Sequence, residues 1–162
     1  RWASDYDGPV FVRLARDAVP DVFESDPEYR PDVPRVVFAG ESGDTVVVST
    51  GVHTARIAET VRDLGLRHVH LPGLKPLDTA ALLDALGGAS TVITVEEHSV
   101  IGGLGGLLAE IVSEQAPGTR VERIGLADGW SESAPNDFLL DKYGLSPERI
   151  ATRIREIVGA PA

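Results

Sequence analysis

At 162 residues and 43% hydrophobic content, the chain has enough apolar material for one α/β core whose burial offsets the cost of ordering the backbone. A formal charge of -10, from 25 acidic against 15 basic side chains, repels a phosphate backbone, so nucleic acid is not an expected partner. Cysteine is absent, which removes disulfides, thiolate nucleophiles and cysteine metal ligands; no apolar run approaches a membrane span, so no membrane partner is expected and the cytoplasm is the default location.

The chain opens on Arg1 rather than Met and runs through polar residues towards an apolar segment, which reads as a fragment of a longer polypeptide. After a turn at Asp7, Gly8 and Pro9, the run from Val10 to Leu14 has the β-branched and aromatic content of a buried strand ending near Ala15. From Arg16 to Arg35, Pro20, Pro27, Pro31 and Pro34 stand among acidic residues. Proline that frequent withholds backbone donors from helix and ladder alike, so this stretch is a linker.

Beyond it, strands and helices alternate. Val36 to Phe38 is a short strand, Gly40 to Asp44 a turn, and Thr45 to Thr50 an apolar run suited to a central parallel strand. Val52, Ala55, Ala58 and Val61 form a helical stripe stopped by Gly65. His68 to Leu71 is the next strand, and Asp78 the N-cap of a helix reaching Leu86. Thr91 to Val95 is a strand, and Leu104, Leu107, Leu108, Ile111 and Val112 share one face of the helix that follows. Val121 to Ile124 makes another strand, Asn136 caps a short helix that Gly144 ends, and Ser146 caps a last helix, with Pro147 in its first turn, whose face carries Ile150, Ile154, Ile157 and Val158. Such alternation predicts an α/β fold: a three-layer α/β/α sandwich with a mostly parallel sheet covered on both sides.

Chemistry is sparse. Gly102, Gly103, Gly105 and Gly106 lie between a strand and a helix, where exposed amides can hold an anion, but the dinucleotide spacing fails because Leu108 stands where glycine is required. The alternative is glycine for close helix-on-sheet contact. Glu96, Glu97 and His98 cluster at a strand's carboxyl end, the edge where open α/β sheets place ligands. Adjacent strand residues face opposite ways, so the two glutamates are not a facing pair; one of them is expected to serve a helix terminus or an interface. His68 and His70 share a strand face without a third metal ligand at suitable spacing and read as a solvated or interfacial pair; His53, alone at a helix start, reads as a surface or interface group. Asp44 two places after Ser42 excludes a serine hydrolase elbow.

The segment from Val95 through Glu96, Glu97, His98, Ser99, Val100, Ile101, Gly102, Gly103 and Leu104 to Gly105 resembles the signature near the end of transketolase-family chains. Lys75-Pro76-Leu77-Asp78 ahead of it and the stretch from Leu139 to Leu145 behind it agree in order. The likeness is strongest to the carboxy-terminal subunit of split transketolases. It implies that residues 1–19 are the tail of a pyrimidine-binding domain, 20–35 a linker, and 36–162 a C-terminal domain with a mixed five-stranded sheet. Arg16 falls where the family's sugar-phosphate-binding arginine stands, and a guanidinium fork suits a phosphate dianion.

The family's Gly-Asp-Gly cofactor motif is absent, Ala127-Asp128-Gly129 being a near miss on another element. The resemblance thus implies no catalytic, cofactor-binding or metal residue in this fragment. Glu96, Glu97, His98, Gly102 and Gly103 are left as interface or supporting candidates. Trp130, and Ser133 to Pro135, depart from the family's Phe and glycine. The complete enzyme would use thiamine diphosphate and Mg2+ for two-carbon ketol transfer between sugar phosphates, pairing this part with a diphosphate-binding domain or subunit in a homodimeric assembly; the fragment alone would be inactive. Alternatives are a 2-oxo acid dehydrogenase β subunit, 1-deoxyxylulose-5-phosphate synthase, and a non-catalytic interaction domain. Arg16 argues against the dehydrogenase, and Ala15 and Asp17 against the synthase, whose arginine lies between Pro and Gly.

Overall fold

The computed structural model describes residues 2–15, 18–23 and 29–159. Its elements, in chain order, are α1 (Trp2–Asp5), β1 (Arg35–Phe38), β2 (Ser42–Thr50), α2 (His53–Asp63), β3 (Leu66–Leu71), α3 (Thr79–Leu86), β4 (Thr91–Ser99), α4 (Leu104–Gln115), β5 (Arg120–Leu126), α5 (Asn136–Lys142) and α6 (Pro147–Val158). The five strands form one sheet in the order β1-β3-β2-β4-β5. Edge strand β1 runs antiparallel to β3, and the other pairings are parallel. The sheet is therefore mixed and mostly parallel, as expected.

Two apolar clusters lie on its two faces. Val46, Val48, Val69 and Val92 meet Leu82 and Leu86 of α3 and Leu104, Leu108 and Val112 of α4. Val47, Ile93 and Val95, which alternate with those residues, meet Ile57 and Val61 of α2 and Ile150 and Ile154 of α6. The alternation in β2 and β4 sends neighbouring side chains into different layers, which is why those strands read as unbroken apolar runs. Two of the predicted caps are present: Asp78 accepts from the Ala81 N–H at 2.9 Å, and Ser146 accepts from the Arg149 N–H. Gly87 and Gly159 close α3 and α6 in the left-handed conformation.

Several boundaries differ from the expected ones. β2 begins at Ser42, inside the expected turn, and β4 runs to Ser99, four residues past Val95. Asn136, expected to cap the short helix, is instead its first residue, with Pro135 in the capping position and no side-chain cap. The largest difference lies in Val10 to Leu14, which forms no strand and pairs with none among the described residues. Phe11 is 91% and Leu14 82% exposed. β-propensity reports how well a side chain fits a pleated, half-buried surface; these residues have the side chains and lack the neighbouring surface.

Chain order decides where a site can form. From β2 the chain passes through α2 to β3 on one side, then returns over the opposite face through α3 to β4 on the other side of β2. The connections after β2 and β4 thus diverge at the carboxyl ends of adjacent strands, the switch point at which open α/β sheets form a crevice.

Candidate functional site

Strand β4 delivers two successive glutamates to that switch point, one to each face. Glu96 is 1% exposed and points towards α4. Its Oε2 accepts from the Leu104 N–H at 2.7 Å and its Oε1 from the Gly105 N–H at 2.9 Å. The carboxylate therefore satisfies two free donors of the first helical turn and lies at the positive end of the helix dipole. Gly103 makes room for it: a Cβ there would sit 2.0 Å from Glu96 Oε2 and 2.7 Å from the Ser99 carbonyl oxygen. Gly105 allows a similar approach, since its Cβ would meet Arg123 and Thr94 within 2.7 Å. Gly102 adopts φ 73° with open space around it and forms the turn. The glycine run thus serves close helix-on-sheet packing, and the anion at this helix start is the protein's own.

Glu97 faces α2 instead. Its Oε2 accepts from Arg56 Nη1 at 2.5 Å and lies 4.0 Å from His53 Nε2. Sequence alone suggested a surface or interface role for His53, and the structure corrects this: it is fully buried at the first turn of α2, next to the Glu97–Arg56 pair. Neither ring nitrogen of His53 has a hydrogen-bond partner among the described residues. Burial pushes its pKa down to about 4, outweighing the upward pull of Glu97, and the Arg56 and Arg13 charges lower it further. A neutral imidazole results at pH 7, so the 4.0 Å approach to Glu97 is not an ion pair. His98, exposed on the same strand end, approaches the Ser99 carbonyl through Nδ1 at 2.9 Å and belongs to neither cluster.

A second buried group lies one strand away. Ser49 Oγ is 2.7 Å from His68 Nε2 and 2.8 Å from Thr54 Oγ1, which is 2.7 Å from His70 Nδ1. His68 and His70 share a strand face, as predicted, but His68 is fully buried and His70 partly so; they are not solvated. The difference arises because their face of β3 is covered by α2 and by the segment carrying Phe23, whose ring lies 5.6 Å from that of His70. Burial draws both imidazoles down to about 4, with the Arg35 charge adding to the effect on His70.

The amino-terminal residues reach the same edge. Arg13 Nη1 donates to the Glu97 carbonyl at 2.9 Å. Val19 and Pro20, with Arg56, Pro135 and Asn136, line an open cleft of about 370 Å3. Arg16, the predicted phosphate ligand, lies outside the described residues. Sequence reasoning did not single out Arg13 or Arg56. The available signal for Arg56 was its position three residues after His53, on the same side of α2; for Arg13 there was none, because its partner is a backbone carbonyl 84 residues away.

These residues do not suit a bound diphosphate cofactor. The helix start that could hold an anion is filled by Glu96, and no group of three metal-ligating side chains is arranged for an ion among the described residues. No helix among them is long and apolar enough to cross a membrane.

A family model for the transketolase C-terminal domain matches residues 35–150. A putative transketolase C-terminal section from Methanocaldococcus jannaschii is 32% identical over 161 residues, covering 96% of this chain and 50% of that protein. One subunit of an apulose-4-phosphate transketolase from Actinobacillus succinogenes is 32% identical over 133 residues, 79% of this chain and 42% of that one. Among solved structures, a split gene transketolase described as an inactive beta4 tetramer superposes with a TM-score of 0.84 at 36% identity, over 96% of this chain and 52% of its own. The chain spans about half the length of these relatives.

Proposed function

The chain belongs to the transketolase C-terminal domain family, and on that premise we propose that it is the C-terminal part of a thiamine-diphosphate-dependent transketolase that moves a two-carbon ketol unit between sugar phosphates. The observation that carries this reading is the likeness to a split gene transketolase over nearly the whole chain but half of the relative's length. In this reading the coenzyme and its Mg2+ are held by other parts of the enzyme, which supply the carbanion chemistry. A diphosphate-binding domain or partner subunit is required, the assembled enzyme is a cytoplasmic homodimer, and the fragment alone is inactive. Residues 1–19 are the tail of the preceding pyrimidine-binding domain and 20–35 the linker. The fragment contributes assembly, together with a substrate-phosphate contact from Arg16. The architecture of β4 favours a structural role for Glu96 and Glu97, since one carboxylate ties the strand end to α4 and the other to α2.

The test is to supply the full-length parent chain and its cofactor-binding partner with thiamine diphosphate, Mg2+, xylulose 5-phosphate and an aldose acceptor. Ketol transfer to the aldose is expected. Consumption of pyruvate alone, with no ketose donor used, would move the assignment to a 2-oxo acid dehydrogenase or a 1-deoxyxylulose-5-phosphate synthase.

A further inference from the structure

We infer that the described stretches of the linker, residues 20–23 and 29–34, are a docked strap rather than a free tether: His70 is a positioning residue that, with Arg35, seats Phe23 on the sheet, and Asp78 receives Asp32 at a second anchor. The strap thereby fixes how the C-terminal domain is joined to what precedes it. This rests on the reading of residues 20–35 as an interdomain linker.

The first anchor is a cross-strand pair. Arg35 of β1 stands opposite His70 of β3 in the antiparallel ladder, which puts both side chains on one face. Phe23 meets both of them: its ring lies 5.6 Å from the His70 ring, and Arg35 Cζ lies 4.0 Å from its centroid. Residues 20–23 also share a cleft with Gly51, Thr54 and Ala55 at the start of α2. The His70 ring is itself held from within the domain. Thr54 Oγ1 is 2.7 Å from its Nδ1, Ser49 Oγ is 2.8 Å from Thr54 Oγ1, and His68 Nε2 is 2.7 Å from Ser49 Oγ. Two hydroxyls carry two protons, so three hydrogen bonds in this chain take a third proton from an imidazole nitrogen, and turning the His70 ring would break the chain at its end. Burial and the Arg35 charge keep that ring neutral, so Arg35 and His70 hold Phe23 without opposing each other.

The second anchor lies beyond β3. The Asp32 carbonyl accepts from the Asp78 N–H at 2.8 Å, just before α3, while the Asp78 side chain caps that helix. Gly73 lets the strap pass, since a Cβ there would stand 2.6 Å from the Pro31 carbonyl oxygen. Arg30 pairs with Asp32, and the Val33 N–H closes a turn on the Arg30 carbonyl. Pro20, Pro31 and Pro34 have little freedom in φ, which lowers the entropy lost on docking. Proline content that denies this stretch a ladder therefore suits a strap that docks through side chains and one carbonyl.

The experiment is amide hydrogen exchange on the full-length parent chain assembled with its cofactor-binding partner. The Asp78 N–H is the reporter, because its acceptor is the Asp32 carbonyl and it exchanges slowly only while the strap is down. Phe23→Ala, at the other anchor, is expected to speed its exchange about tenfold, the combined scale of an aromatic pair and an exposed cation–π contact. Thr54→Val, which releases the His70 ring, speeds it about fivefold, the scale of one hydrogen bond. Phe23→Tyr stays within about twofold of the parent chain, and the amides of α4 keep their rates in all three variants. An Asp78 N–H that exchanges like an unstructured amide in the parent chain, one indifferent to Phe23→Ala, or α4 amides accelerated in parallel with it would overturn the inference and leave the linker reading standing. If the amides of residues 10–15 and those of α4 open in one step in the parent chain, the two sides of the strap are one domain; the linker reading then fails, and the inference with it.

Discussion

Replacing Glu96 by glutamine tests whether the glycine-rich junction is built around the protein's own carboxylate. Each oxygen of Glu96 accepts one backbone N–H of α4, at 2.7 and 2.9 Å, and the side chain is almost wholly buried. Glutamine matches the shape but keeps one acceptor, and it turns an amide NH2 towards a backbone N–H that then has no partner. A hydrogen bond to a charged group contributes about 1.5–3 kcal/mol, and the charge at the helix start adds up to about 2 kcal/mol in a buried setting. The expected loss is therefore about 2–4 kcal/mol. Urea unfolding of the isolated chain, followed by circular dichroism, reads it as a lower midpoint at unchanged slope. Glu97→Gln is the internal control. Its side chain is 33% exposed and its bridge to Arg56 is partly screened, so a loss of no more than about 1 kcal/mol is expected. A Glu96→Gln variant within about 0.5 kcal/mol of the parent chain, or one less affected than Glu97→Gln, would refute the reasoning.

Two glycines of the same run should respond in opposite ways: Gly103→Ala drives a methyl into Glu96 and lowers stability by about 2 kcal/mol or more, whereas Gly106→Ala meets nothing within 4 Å and raises it by up to about 1 kcal/mol through helix propensity. Parallel thermal melts of the two variants decide this, and equal shifts would show that close packing is not the reason for the glycines. Acid should destabilise the fold through His53 and His68, both fully buried with pKa lowered to about 4 from the ordinary 6.5. Between those values the unfolded chain binds protons that the folded chain does not, so stability is complete above about pH 6.5 and falls by about 1.4 kcal/mol per pH unit per histidine down to about pH 4. Urea midpoints at about pH 7.5, 6.0 and 4.8, which bracket that window, measure the slope, and His53→Phe, which fills the site without a titrating group, should flatten it. A slope unchanged by that substitution would remove His53 from the account.

Local signals determined the elements whose stabilising groups lie close together in sequence. Asp78 and Ser146 cap helices that start within a residue of them, and the stripe of Leu104, Leu108 and Val112 identifies a packing face, because a helix repeats over a span shorter than the helix itself. The opposite facing of Glu96 and Glu97 followed from strand geometry alone, and with it the expectation that one of them would serve a helix terminus. Only the tertiary structure decided which one, since that depends on which face of β4 receives α4. The same holds for His53 and His68, which read from sequence as surface or interface groups and are buried within the domain where α2 covers the sheet. Val10 to Leu14 shows the reverse case, with strand composition but no strand partner among the described residues. Sequence patterns report the periodicity of a segment with itself; which surfaces meet, and which distant carbonyl Arg13 reaches, are set by contacts between residues far apart along the chain.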